Sequence, residues 1–233
     1  MPVADPDRLR GGEATGHRLL TPRGQRTRGR LVAAARQVFQ EVPFAEARIT
    51  DITARAGVAS GTFYTYFDSK EDLFREVAAE VLAEMLAAPR RDPDNAERDP
   101  IRDIAYATRE YFLTCLRNAG VARSIEQLTL RDRGIADARH GTLVAGVKRN
   151  ERWIRRLQDR GICDTEIDPW TTAMVLQTMT VRVAYDHLLL PGHEAEVEDL
   201  VEAVTRVWAR TVGLEVVQPA ADGPSHVGLA DPA

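Results

Sequence analysis

The 233-residue chain is 44% hydrophobic and 28% charged, an ordinary balance for a soluble globular protein, and no apolar run approaches the roughly 20 residues that span a bilayer. Its net charge of −4 hides a division: residues 1–70 hold eleven Arg or Lys against seven Asp or Glu, a balance of +4, leaving −8 for the rest. A basic head on an acidic body suits a local phosphate-binding face, and it suits a solvated charged arm equally well. Cys115 and Cys163 lie far apart, with no C-x-x-C pair or zinc-ligand spacing, so a reduced, cytoplasmic setting without metal or other cofactor is expected.

Residues 1–22 carry Gly, Pro and charge without periodicity and read as a disordered arm. From Arg23, the residues Leu31, Ala34, Ala35, Val38 and Phe39 recur at helical intervals, predicting a first helix that stops near Pro43. Two short helices follow, about 50–56 and 60–66, with Gly57 free to take positive φ between them. Ser69 opens a helix to about Leu86, and the Pro- and charge-rich stretch 87–99 reads as a loop. Asp99-Pro100 and Asp168-Pro169 are cap-and-proline starts for helices over about 99–118 and 168–190. Between them lie helices at about 121–131 and 135–160, with Gly120 and Gly161 as stops. A last helix covers about 194–213, and 215–233 reads as a disordered tail. The expected fold is all-α, of about nine helices.

The informative segment is 49–73, ITDITARAGVASGTFYTYFDSKEDL. Its two short helices are too short to stand alone; they need a third helix, which the Leu31/Ala35/Val38/Phe39 stripe supplies. Ile49, Ile52, Ala56, Val58 and Phe63 would complete a small core. The second helix then presents Ser60, Gly61, Thr62, Tyr64, Thr65 and Tyr66, small or hydroxyl-bearing groups suited to phosphates and base edges in a major groove.

Ala56-Gly57-Val58, Gly61-Thr62-Phe63-Tyr64, Tyr66-Phe67 and Lys70-Glu71-Asp72-Leu73 resemble the helix-turn-helix of the TetR family of transcriptional regulators, over about fifty residues from Arg23 to Phe74. The resemblance implies a helix-turn-helix domain over 23–68 and a helical ligand-binding and dimerisation domain over 69–214. Ser60, Gly61, Thr62 and Thr65 would face the major groove, and Tyr64 and Tyr66 would meet phosphates, sugars or thymine methyls. Lys70 would add a cation at a helix start, and Arg26 and Arg28 would reach a phosphate or the minor groove. Where the family has Ser or Thr caps, this chain has Arg48 and Ala59, so Arg48 is expected to contact a phosphate, with Thr50 one turn further in. The partners implied are duplex operator DNA, read as a palindrome by a homodimer, and a small effector.

In the larger domain, Tyr106, Tyr111, Phe112, Cys115, Ile125, Leu128, Trp153, Met174 and Gln177 are candidate pocket residues, and their bias points to a lipophilic effector. Trp170, Val181 and Leu188, with Val197, Leu200, Val201, Val204 and Trp208, are the candidate dimer face; closing the monomer core is the alternative for the same stripes. His140, His187 and His193 show no ligand spacing, and no catalytic constellation emerges. Two other readings stay open: a redox-responsive regulator using Cys115 or Cys163, and a helical protein-interaction scaffold.

Overall fold

The helices form in the predicted order. The structure is a computed structural model that describes residues 21–87, 99–190, 192 and 195–214. The expected arm (except Thr21 and Pro22), most of the 87–99 loop, His193 and the expected tail lie outside the described residues.

Nine α-helices are described: α1 (Pro22–Glu41), α2 (Ile49–Ala56), α3 (Ser60–Phe63), α4 (Lys70–Ala87), α5 (Pro100–Arg117), α6 (Ala119–Leu128), α7 (Arg133–Asp159), α8 (Pro169–Ala184) and α9 (Val197–Thr211). Their starts follow from side chains that satisfy the open N–H groups of a first turn. Thr21 Oγ1 accepts from the Gly24 amide at 3.2 Å, Asp99 from Ile101 at 2.9 Å, Asp132 from Ile135 at 3.0 Å and Asp168 from Thr171 at 2.8 Å. One expected stop differs. Gly120 lies inside α6, buried, because the Asn118 side chain turns back to the Thr114 carbonyl at 3.0 Å and ends α5 there.

The chain divides into two units between Val77 and Ala78, within α4, rather than at the 68/69 boundary expected from the motif. In the first unit, Leu31, Phe39, Ile52, Phe63, Leu73 and Phe74 are fully buried. Phe39 and Phe44 each meet Phe74 edge-on with ring centroids 5.0 Å apart, an arrangement that adds to simple area burial. The small core is therefore aromatic, and α1 carries the apolar stripe that the periodicity predicted.

In the second unit, α7 packs along α8 and α5 along α9. Trp208 Nε1 donates to Thr180 Oγ1 at 3.0 Å, and that hydroxyl donates to the Leu176 carbonyl at 2.8 Å, so both buried polar groups are satisfied. α8 passes into a π-helical turn, Tyr185–Leu189, whose Leu189 carbonyl accepts from Arg123 at 3.2 Å. Such turns are uncommon and cluster at functional sites.

Candidate nucleic-acid interface and inner cavity

The α2–turn–α3 segment is held from behind. Gly57 takes φ 64°, and a Cβ there would lie 2.8 Å from Arg30 Nη2, which donates to the Ala56 carbonyl and, at 3.1 Å, to that of Gly57. Arg55 clasps Glu41 through two bonds of 2.6 and 2.7 Å, and this holds the exposed Glu41 carboxyl below its usual range. Neither Arg48 nor Ala59 caps its helix through a side chain. The buried Thr53 links the two helices: its hydroxyl donates to the Thr50 carbonyl at 3.1 Å and lies 3.4 Å from Ser60 Oγ, across the turn.

What faces outward is the hydroxyl set. Ser60, Gly61 and Thr65 are exposed, Thr62 and Tyr66 half-buried, and Tyr64 is 63% exposed, its ring resting edge-on against the buried Phe63. Phe63 and Phe67 point inward. Arg26, Arg48 and Thr50 are exposed on the same unit.

Two expected cations are committed elsewhere. Lys70 Nζ donates to the Phe44 and Ala47 carbonyls at 2.7 and 2.9 Å and sits 4.4 Å from the centre of the Phe44 ring. Arg28 forks onto Glu76, one of its bonds 2.6 Å long, over the Phe67 ring. Both tie α1 and the α1–α2 loop to α4, and neither is a free phosphate donor. The physical reason is burial: a half-buried cation takes the nearest acceptor.

The second unit encloses a cavity of about 420 Å³. Of the nine expected pocket residues, Tyr111, Cys115, Ile125, Trp153 and Gln177 line it. Tyr106, Phe112, Leu128 and Met174 do not: Phe112 is fully buried elsewhere in the core, and Met174 is exposed at 43%. Trp208 and Val181, expected at a dimer face, line the cavity instead. Val201, Val204 and Trp208 are buried within the chain, because the α9 stripe is already covered by α5. Val197, Leu200 and Leu188 are half-buried. The exposed large apolar groups of these helices are Trp170, Met174 and Val175 on α8 and Val207 on α9, of which only Trp170 belongs to the expected face.

The cavity wall on α7 runs through Arg139, Thr142, Leu143, Gly146, Asn150 and Trp153, one helical stripe of three- and four-residue steps. Asn150 is almost wholly buried and donates to Gln177 Oε1 of α8 at 2.7 Å. Gly146 makes room for that pairing, since a Cβ there would come within 3.2 Å of the Gln177 amide. Burial pushes the Cys115 thiol up to about 12 and raises Tyr111 beside it. Burial also raises Cys163. Neither is the exposed thiolate that a redox response needs. No helix among the described residues is long and apolar enough to cross a membrane.

A family model described as bacterial regulatory proteins, tetR family, matches residues 31–77, the stretch that carries the motif. The chain is 21% identical over 197 residues to the HTH-type transcriptional regulator EthR of Mycolicibacterium smegmatis, covering 84% of this chain and 91% of that one. It is 33% identical over 77 residues to the HTH-type transcriptional repressor DhaR of Mycobacterium sp., covering 33% of this chain and 39% of that one. Among solved structures it superimposes on SmeT, the repressor of the Stenotrophomonas maltophilia multidrug efflux pump SmeDEF. The TM-score is 0.63 at 19% identity, over 89% of this chain and 100% of that one.

Proposed function

We propose that the chain, whose residues 31–77 match the model of the tetR family of bacterial regulatory proteins, is a homodimeric, cytoplasmic repressor of that family, released from a palindromic operator by a small organic effector held in the second unit. The observation that carries the DNA half is the outward set of Ser60, Thr65 and Tyr64 on a turn braced from behind by Arg30, Thr53 and the Phe63 ring. Exposed hydroxyls on α3, which ends at Phe63 rather than near 66, and on the turn after it match phosphates and base edges, and Arg26 and Arg48 add charge without being held by a carboxylate among the described residues. Ser60, Gly61, Thr62, Thr65 and Thr50 are assigned to the groove, Tyr64 and Tyr66 to the backbone. Lys70 and Arg28 are assigned to bracing.

The effector half rests on the cavity of the second unit and on the apolar groups of its wall with polar ones among them. An effector bound more tightly by a conformation with wrongly spaced recognition helices lowers operator affinity by its differential binding energy. The dimer is assigned to the exposed α8 face, Trp170, Met174 and Val175, together with Val207 of α9, because an apolar surface of this kind marks an interaction site.

The test of the DNA reading is anisotropy binding to duplexes selected from the DNA flanking the chain's own gene. Tyr64→Ala/Tyr66→Ala is expected to weaken the complex roughly 30- to 100-fold, two lost contacts of about 1 kcal/mol or more each, with unchanged helicity. Undiminished binding by the double variant overturns the assignment, and a complex indifferent to salt overturns DNA binding as the role.

A further inference from the structure

Three buried side-chain polar atoms lack a partner among the described residues: Arg149 Nε, Asn150 Oδ1 and Thr205 Oγ1. Two of the three belong to adjacent residues of α7, and both residues line the cavity. Unsatisfied buried groups are costly, about 1–3 kcal/mol each and more for a charged one, so a ligand that draws these atoms out from just behind the cavity wall, where both are closed off, relieves that cost.

The charge of the wall says what. The lining carries Arg139, Arg149, Arg156 and Arg182 against Asp103 and Glu126, although residues beyond 70 are acidic as a whole. Arg139 is neutralised by Glu126 and Arg182 by Asp186. Arg149 spends Nη1 on the Leu86 carbonyl, and no carboxylate among the described residues pairs with it. Burial, and then the neighbouring Arg152, already pull its charged form downward. With no counter-ion among the described residues, its planar fork fits a carboxylate better than any other common anion of small organic molecules. Around this polar pole the wall is apolar: Leu82, Met85, Ile104, Leu143, Trp153 and Trp208.

We infer that the effector is an amphipathic organic acid, its carboxylate on Arg149 and Asn150 and its apolar body among Leu143, Trp153 and Trp208. The inference rests on the reading of the cavity as the effector site. Asn150 offers an N–H to the carboxylate when its amide and that of Gln177 are both turned about their terminal bonds, Gln177 Nε2 then donating to Asn150 Oδ1.

The test is isothermal titration of the full chain with decanoate, decanol and decylamine at monomeric concentrations, repeated with the hexyl and tetradecyl series. Decanoate is expected to bind about ten- to a hundredfold more tightly than decanol, the worth of one charge-assisted hydrogen bond, and decylamine not at all. Arg149→Met is expected to erase that advantage and leave decanol binding intact. If that variant does not fold, Arg149→Lys, which keeps the charge and loses the Nε–H, is expected to show an intermediate loss. Decanol binding as tightly as decanoate, or an unchanged acid-to-alcohol ratio in both variants, overturns the acid while leaving an effector cavity. No binding by any member of the three series overturns the cavity reading, and the acid with it.

Discussion

The two units treat their polar side chains in opposite ways. In the first, Arg28, Arg30, Arg55 and Lys70 are each fastened to a carboxylate or a backbone carbonyl around an aromatic core, which leaves a stiff frame from which only hydroxyls and a few outer arginines project. In the second, Arg149 and Asn150 keep polar atoms unmet beside an open cavity. A reader of a fixed duplex gains from having nothing left to rearrange, whereas a sensor must have a state that its ligand improves. The difference between the units is a difference in how much hydrogen bonding has been left for a partner to complete.

Phe39→Ala tests the stiff half most severely. Its ring is fully buried between Phe44 and Phe74, and chemical denaturation should show a loss of about 3–5 kcal/mol. A smaller loss would mean that the first unit repacks and is softer than its aromatic core suggests. Val175→Arg should leave the fold standing, because the side chain is 57% exposed. Sedimentation should show monomers, and operator affinity should fall by a hundredfold or more because each half-site is then held singly. A dimer that survives places the interface elsewhere.

Lys70→Met separates bracing from DNA contact. It removes two hydrogen bonds to carbonyls and should cost about 2 kcal/mol of stability. The salt dependence of operator binding should stay as in the parent, whereas a lost phosphate contact would lower that slope by about one. Gly146→Ala addresses the yielding half: the helix gains up to about 1 kcal/mol in propensity, offset by the 3.2 Å approach to Gln177. Stability should therefore move little while effector affinity falls. Cys115 should show the smallest response. With its thiol held at about 12 by burial, the stability that comes from keeping it neutral is whole below roughly pH 8.5 and is lost as pH climbs toward the folded value. Iodoacetamide at pH 8 should leave it unmodified in the native state.

The order and extent of the helices were legible because local rules set them. Asp99-Pro100 and Asp168-Pro169 announce starts, Gly57 and Gly161 adopt the positive φ expected of stops, and the α1 stripe announces a buried face, whereas the Thr21-Pro22 start of α1 was read as part of the arm. Gly120 misled for an identifiable reason: the end of α5 is made by the Asn118 side chain, so the glycine was free to begin the next helix. The candidate DNA surface was legible in outline, since alternating aromatic and hydroxyl residues in 60–67 sort inward and outward at helical spacing. Asn150 was also within reach, a polar residue four places after Gly146 and three before Trp153 on the stripe of α7 that lines the cavity.

What the chain alone determined, then, were properties carried by near neighbours: caps, turns, apolar periodicity and the motif that matches the tetR family model. Tertiary structure decided everything that depends on which distant group lies across the gap. It turned Lys70 and Arg28 into braces, put Trp208 in a cavity wall rather than on an outer face, exposed Met174 and Val175, and left Arg149 without a carboxylate partner among the described residues. A side chain's type limits the bonds it can make, but the fold alone sets which acceptors lie within 3 Å, and a half-buried charge must take whatever it finds there.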